Sequence, residues 1–169
     1  MRVFSVVPGL ALGLVLATVT PGCGRGEQKA RRVSKAKARD LQKHAGVCFG
    51  QGDYACAMES LRKVLKSRPS DPELLNRFAM AARMRYYQSG DMDYRDQEIE
   101  ALRKAVKQAP KVAHIQINFG TTAWEMGLRK EAAKAYQRGL ELKPKHPDAA
   151  LMAARIKRST TEVEDEDAQ

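Results

Sequence analysis

Three stretches of this chain close in the same way, and their spacing limits what the chain can fold into. They are SLRKVLKSRP at 60–69, ALRKAVKQAP at 101–110 and AYQRGLELKP at 135–144. Pro110 and Pro144 stand 34 residues apart, and Pro69 and Pro110 stand 41 apart. Within each stretch the apolar residues fall three or four apart and line one helix face. Proline then ends the helix, because it has no N–H to donate and its ring clashes with the preceding turn. A short recurring period of this kind marks stacked supersecondary units. One helical hairpin cannot bury its apolar stripe alone, so about three must stack, and three are present. Ala, Leu, Lys, Arg, Glu and Gln are plentiful and favour helix. Strand-type runs are hard to find. The fold class is therefore all-α.

The first unit, about 38–71, carries Leu41, Ala45, Cys48, Gly52, Tyr54, Ala57, Leu61, Val64 and Pro69. The third, about 113–146, carries Phe119, Gly120, Trp124, Gly127, Ala132, Tyr136, Gly139 and Pro144. The middle unit, about 72–112, has Leu75, Phe78 and Ala79 in its first helix. Ile99, Leu102, Ala105 and Val106 belong to its second, read as Asp96 to Gln108. Its seven extra residues are expected in a turn from Gln88 to Tyr94, since closure entropy grows slowly with loop length. This pattern resembles the tetratricopeptide repeat, with departures at Cys48, Val64, Gln116 and Arg129. The resemblance implies a right-handed superhelix of three helix-turn-helix repeats. A C-terminal capping helix at 147–158 is expected to cover the stack with Leu151, Met152 and Ile156. Residues 159–169 hold five acids and no base and are predicted to be a disordered tail.

The N-terminus reads as an address. Arg2 precedes an almost wholly apolar run from Val3 to Val19, which is shorter than the ~20 residues of a spanning helix. Thr20-Pro21-Gly22-Cys23 follows. The arrangement resembles the signal of bacterial lipoproteins: Gly22-Cys23 matches the end of the lipobox, while Thr20 and Pro21 depart from it. The resemblance implies a signal peptide at 1–22, lipidation of Cys23 with palmitate among the acyl chains, and a lipid anchor in the bacterial envelope. Gly24 beside the Cys implies the outer membrane, facing the periplasm. Residues 23–37 are expected to be a basic flexible tether, since 24–37 hold six basic residues and one acidic.

In the tetratricopeptide family the first helix of each unit lines a concave groove that binds peptides. Carried over, that groove takes Arg39, Gln42, Lys43, Gly46 and Phe49 from the first unit. It takes Glu73, Asn76, Arg77, Met80, Arg83 and Met84 from the second, and His114, Ile117, Asn118, Thr121, Trp124 and Glu125 from the third. Positive charge mixed with Met, Phe and Trp suits a peptide or helical segment with acidic and apolar side chains. Met80 and Met84 can repack around different partners. Phe49 and Trp124 either face that ligand or pack between units. Some relatives clamp a terminal carboxylate with Lys, Asn, Asn, Lys and Arg. Here those positions read Gln42, Gly46, Arg77, His114 and Asn118, so the clamp is not implied. The implied function is a membrane-tethered adaptor between proteins, assisting assembly of an envelope complex of secretin or pilus type. The alternative is polyanion or nucleic-acid binding through the basic helical face, which the net charge of +10 invites. An exported chain does not meet nucleic acid, so no nucleic-acid partner is expected.

Catalytic patterns are missing from the sequence. It has no Gly-rich phosphate loop, Walker motif or nucleophile elbow. His44, His114 and His146 stand far apart, and His44 with Cys48 offers only two ligands at i and i+4. No metal, cofactor or enzymatic activity is expected. Cys48 falls late in one helix and Cys56 early in the next, so the hairpin brings them near each other. They are either a disulfide in an oxidising compartment or two small buried thiols.

Overall fold

The computed structural model describes residues 34–167. The predicted signal peptide, Cys23 and most of the predicted basic tether lie outside the described residues. Among those described there are seven helices and no strand: α1 (Lys35–Gly50), α2 (Tyr54–Leu65), α3 (Pro72–Ser89), α4 (Met92–Gln108), α5 (Ala113–Glu125), α6 (Arg129–Leu142) and α7 (Ala149–Asp167). They pair as α1–α2, α3–α4 and α5–α6, each hairpin leans on the next, and α7 covers α6. This is the expected array of three hairpins and a cap. No helix among the described residues is long and apolar enough to cross a membrane.

Short polar residues set the helix starts. Ser34, Asp53, Asp71 and Asp91 each accept a backbone N–H of the first turn they precede, a cap that typically contributes about 1 kcal/mol. Ser34 therefore starts α1 at Lys35, inside the stretch predicted to be tether to residue 37. Pro72 opens α3, where a missing N–H costs nothing.

Two boundaries differ from the sequence reading. The seven extra residues of the middle unit do not form a loop. They lengthen both helices, so α3 has 18 residues and α4 has 17, against 16 and 12 in the first hairpin. Only Gly90 and Asp91 turn the chain, because Gly90 adopts φ 71° and Asp91 at once caps α4. The segment from Gln88 to Tyr94 was polar enough to read as a loop, yet apart from Gly90 it holds helix-compatible residues and a ready cap. The second correction concerns the C-terminus. The helix does not stop at residue 158 but continues to Asp167. Ser159, predicted to begin the disordered tail, is 2% exposed, and its hydroxyl donates to the Arg155 carbonyl. Met152, Ile156 and Ser159 follow helical spacing, so packing against the stack carries the helix onward.

The core is a seam of small residues between larger ones. Ala57, Ala79, Ala82, Ala105, Ala123 and Ala132 are fully buried beside Met58, Leu61, Leu74, Leu102, Ile115 and Tyr136. Glycines draw α5 and α6 closest. A Cβ on Gly120 would lie 2.8 Å from the Tyr136 ring, and one on Gly139 would lie 2.6 Å from Ile117 Cγ1. Neither site has room for a methyl group.

Candidate peptide groove

The first helices α1, α3 and α5 form one side of the array. Between α1 and α3 lies an open pocket of about 260 Å³. Gln42, Ala45, Gly46 and Phe49 of α1 form one wall, and Arg77 and Met80 of α3 form the other. Ala57 and Leu61 of α2 form its floor. The lining is mostly apolar, and Met80 is 40% exposed at its edge. Arg39 and Lys43 on α1 and Arg77 on α3 are exposed cations. Phe49 meets the Tyr54 ring edge-on at 5.1 Å while still lining the pocket. That contact lies within the first hairpin, not between units.

Between α3 and α5 the same repeat positions are occupied by the protein itself. Arg83 donates to Glu98 Oε1 at 2.6 Å, to Thr122 Oγ1 at 2.6 Å and to the Asn118 carbonyl at 3.2 Å. Thr122 in turn donates to Glu98 Oε1 at 2.6 Å. Arg95 donates to Glu98 Oε2 at 2.7 Å and also to Glu125, which accepts from the Tyr87 hydroxyl. Glu98 is 0% exposed, so both its oxygens are satisfied by protein. Burial works to lower the Arg95 pKa, but hydrogen bonds to Glu125 and Glu98 outweigh it and raise the pKa above its ordinary value. Burial, followed by the Glu125 charge, pushes the Tyr87 phenol up.

The remaining residues predicted to line the groove divide accordingly. Asn118 donates to Asn76 Oδ1 at 2.8 Å, and Asn76 is buried. His114 Nε2 and Glu73 Oε1 are 2.9 Å apart with both side chains half exposed. Ile117 is buried, and Thr121 donates to its carbonyl. Met84 is half-buried. Trp124 packs under the guanidinium groups of Arg129 at 4.0 Å and Arg155 at 5.2 Å, so it belongs to the corner of α5, α6 and α7. Of the seventeen predicted groove positions, Gln42, Gly46, Phe49, Arg77 and Met80 line the open pocket, while Arg39 and Lys43 are exposed on α1. Asn76, Arg83, Ile117, Asn118, Trp124 and Glu125 instead hold α3, α4, α5 and the α6–α7 corner together. The pocket floor, Ala57 and Leu61, comes from a second helix that family positions alone did not supply.

The closing group was findable by counting. Twelve residues before each terminating proline stand Ala57, Glu98 and Ala132, all fully buried. A carboxylate at the small-residue position of the middle unit must be met by cations. Arg83 and Arg95 meet it, the latter from three residues earlier on α4.

A larger hollow of about 640 Å³ between α4, α5 and α6 is rimmed by Glu131, Lys134, Arg138 and Glu141. Arg103 and Glu131, and Arg138 and Glu141, pair with each other there. Away from the groove, Cys48 and Cys56 form a disulfide with Cα atoms 5.8 Å apart. His44 Nδ1 stands beside both sulfurs, 3.8 Å from Cys48 Sγ and 3.9 Å from Cys56 Sγ.

Residues 113–146 match the family model for the tetratricopeptide repeat. Small glutamine-rich tetratricopeptide repeat-containing protein 2 of Mycosarcoma maydis is 28% identical over 109 residues, which is 64% of this chain and 29% of that protein. The chain thus matches less than a third of the relative's length. Among solved structures, the first tetratricopeptide domain of Spaghetti (RPAP3), bound to the HSP90 peptide SRMEEVD, has a TM-score of 0.63 at 22% identity. The match covers 79% of this chain and 98% of that one. The Sgt2 tetratricopeptide domain from Aspergillus fumigatus has a TM-score of 0.61 at 20% identity, over 82% of this chain and 87% of that one. The fold is therefore the all-helical array of tetratricopeptide domains, with a matching repeat in its third hairpin.

Proposed function

We propose that this chain is a non-catalytic adaptor that takes an acidic and apolar segment of a partner protein into the pocket between α1 and α3. The observation that carries this reading is an apolar hollow with a cation at its lip. Ala45, Ala57, Leu61 and Phe49 offer area to an apolar side chain, while Arg77 stands at the edge for a neighbouring carboxylate. The peptide on the Spaghetti domain, SRMEEVD, has the same blend of Met and acids. A terminal carboxylate is a poorer fit. His114 is engaged by Glu73 and Asn118 by Asn76, which leaves Arg77 without a second cation from α5.

The address at 1–23 supports a second part of the proposal. The adaptor is held by a lipid on Cys23 at the outer membrane of a bacterial envelope, facing the periplasm. There it assists assembly of a complex of secretin or pilus type. Two acyl chains suffice for stable anchoring. The intact mass of the protein taken from membranes tests this part, and a mass retaining residues 1–22 or lacking acyl chains overturns it.

The binding reading is tested by selecting a display library of short peptides on the purified chain. Enriched peptides are expected to pair an apolar residue with Asp or Glu. Arg77→Glu and Met80→Glu are each expected to weaken them by about tenfold or more, the equivalent of about 1.4 kcal/mol. Basic peptides, or peptides indifferent to both substitutions, overturn it. Selection of nucleic acid with steep salt dependence in place of peptides would favour the basic face.

A further inference from the structure

The hairpin corner of α1 and α2 holds a group of side chains that peptide binding does not use. His44 Nδ1 lies 3.8 Å from Cys48 Sγ and 3.9 Å from Cys56 Sγ. The ligand atoms of the three residues all fall within 4.8 Å of one another. Three ligands, two sulfur and one nitrogen, are the set that zinc-type ions take. With Zn–S near 2.3 Å and Zn–N near 2.0 Å, the edge of a tetrahedral site is about 3.6 Å. Both nitrogen-to-sulfur separations are already close to that edge. The Cα atoms of the cysteines, 5.8 Å apart on facing helices, hold the two sulfurs on the same side as the ring.

The surroundings suit such a site. Ser60 is buried, and its hydroxyl oxygen lies 3.1 Å from the same His44 Nδ1, so it holds the ring until the ion takes that nitrogen. Cys56 lies in the first turn of α2, whose dipole favours a thiolate. His44 is exposed and Cys56 half-buried, so an ion has a way in.

We propose that His44, Cys48 and Cys56 form a redox-gated site for a thiolate-preferring divalent cation of the zinc type, closed while the disulfide stands and open when it is reduced. A dithiol reductant gives two electrons and two protons to the Cys48–Cys56 bond and leaves as its own disulfide. The cation then displaces the two thiol protons and binds both thiolates and one His44 nitrogen. Its fourth position is left to water.

The test uses the full chain carrying Cys23→Ser, reduced, freed of reductant without oxygen, and titrated with Co²⁺ as the spectroscopic probe. One Co²⁺ per chain is expected, with thiolate-to-cobalt charge-transfer absorption that Zn²⁺ abolishes. The oxidised chain is expected to show no such band. His44→Ala is expected to weaken binding at least about 100-fold, since it removes one of the three protein ligands. Circular dichroism checks that the variant keeps the helicity of the parent. Equal affinity in His44→Ala and the parent would overturn the proposal. So would equal binding by oxidised and reduced chains, or helicity lost on reduction and not restored by Zn²⁺.

Discussion

The two halves of the groove use equivalent repeat positions for opposite ends. Between α1 and α3 the first-helix residues face a hollow floored by Ala57 and Leu61. Between α3 and α5 they are joined to each other and to Glu98. The difference originates in the second helices. Where α2 places Ala57, the middle hairpin places Glu98, with Arg95 three residues before it, and Arg95 and Tyr87 both bond Glu125 of α5. One half therefore keeps an open pocket, and the other is closed by internal polar bonds that hold the second and third hairpins together.

The strongest way to break this comparison is Glu98→Gln. It leaves Arg83 and Arg95 without their shared carboxylate, and removing one partner of a buried pair costs about 3–5 kcal/mol. Urea unfolding should register that loss, and a cost under about 1 kcal/mol would mean that the network does not close the second half. Next comes the open half. Cys48→Ser removes a cross-link over a short loop and should cost about 2–3 kcal/mol, read as a lower melting point that reductant no longer changes. Gly120→Ala, under the closed half, drives a methyl group against Tyr136 and should cost about 1–3 kcal/mol in the same melts.

Gly46→Ala should act with the opposite sign. A Cβ there meets nothing within 4 Å, so the helix gains about 0.5–1 kcal/mol while the new methyl narrows the pocket. A higher melting point together with weaker peptide binding sharpens the contrast; unchanged binding would place the ligand elsewhere. The smallest effect belongs to Glu131→Gln. The hydrogen bond to Glu131 raises the Arg103 pKa, but both partners are nearly half exposed, and such pairs contribute less than about 1 kcal/mol. Salt should erase the difference.

Legibility in the sequence followed distance along the chain. The terminating prolines and the apolar spacing set the hairpins, whereas the tight contacts of Gly120 with Tyr136 and of Gly139 with Ile117 arise only when the helices pack. The polar run from Gln88 to Tyr94 misled because a loop and a capped helix extension share a composition. Groove positions carried over from the repeat found Arg77 and Met80 but also gave Arg83, Asn118 and Trp124, which are engaged internally. Helical pattern alone does not tell a free polar residue from a paired one.

By itself, then, the sequence determined an all-helical array of three hairpins and its order. Helix periodicity and chain termination by proline act within a turn or two, and one string of residues carries them completely. Only the tertiary structure decided which half of the groove stays open and which three side chains meet at the α1–α2 corner. Arg83 and Thr122 bond across 39 residues, and His44 reaches Cys56 across 12. Such meetings depend on how packed helices orient their side chains, a property that no local stretch contains.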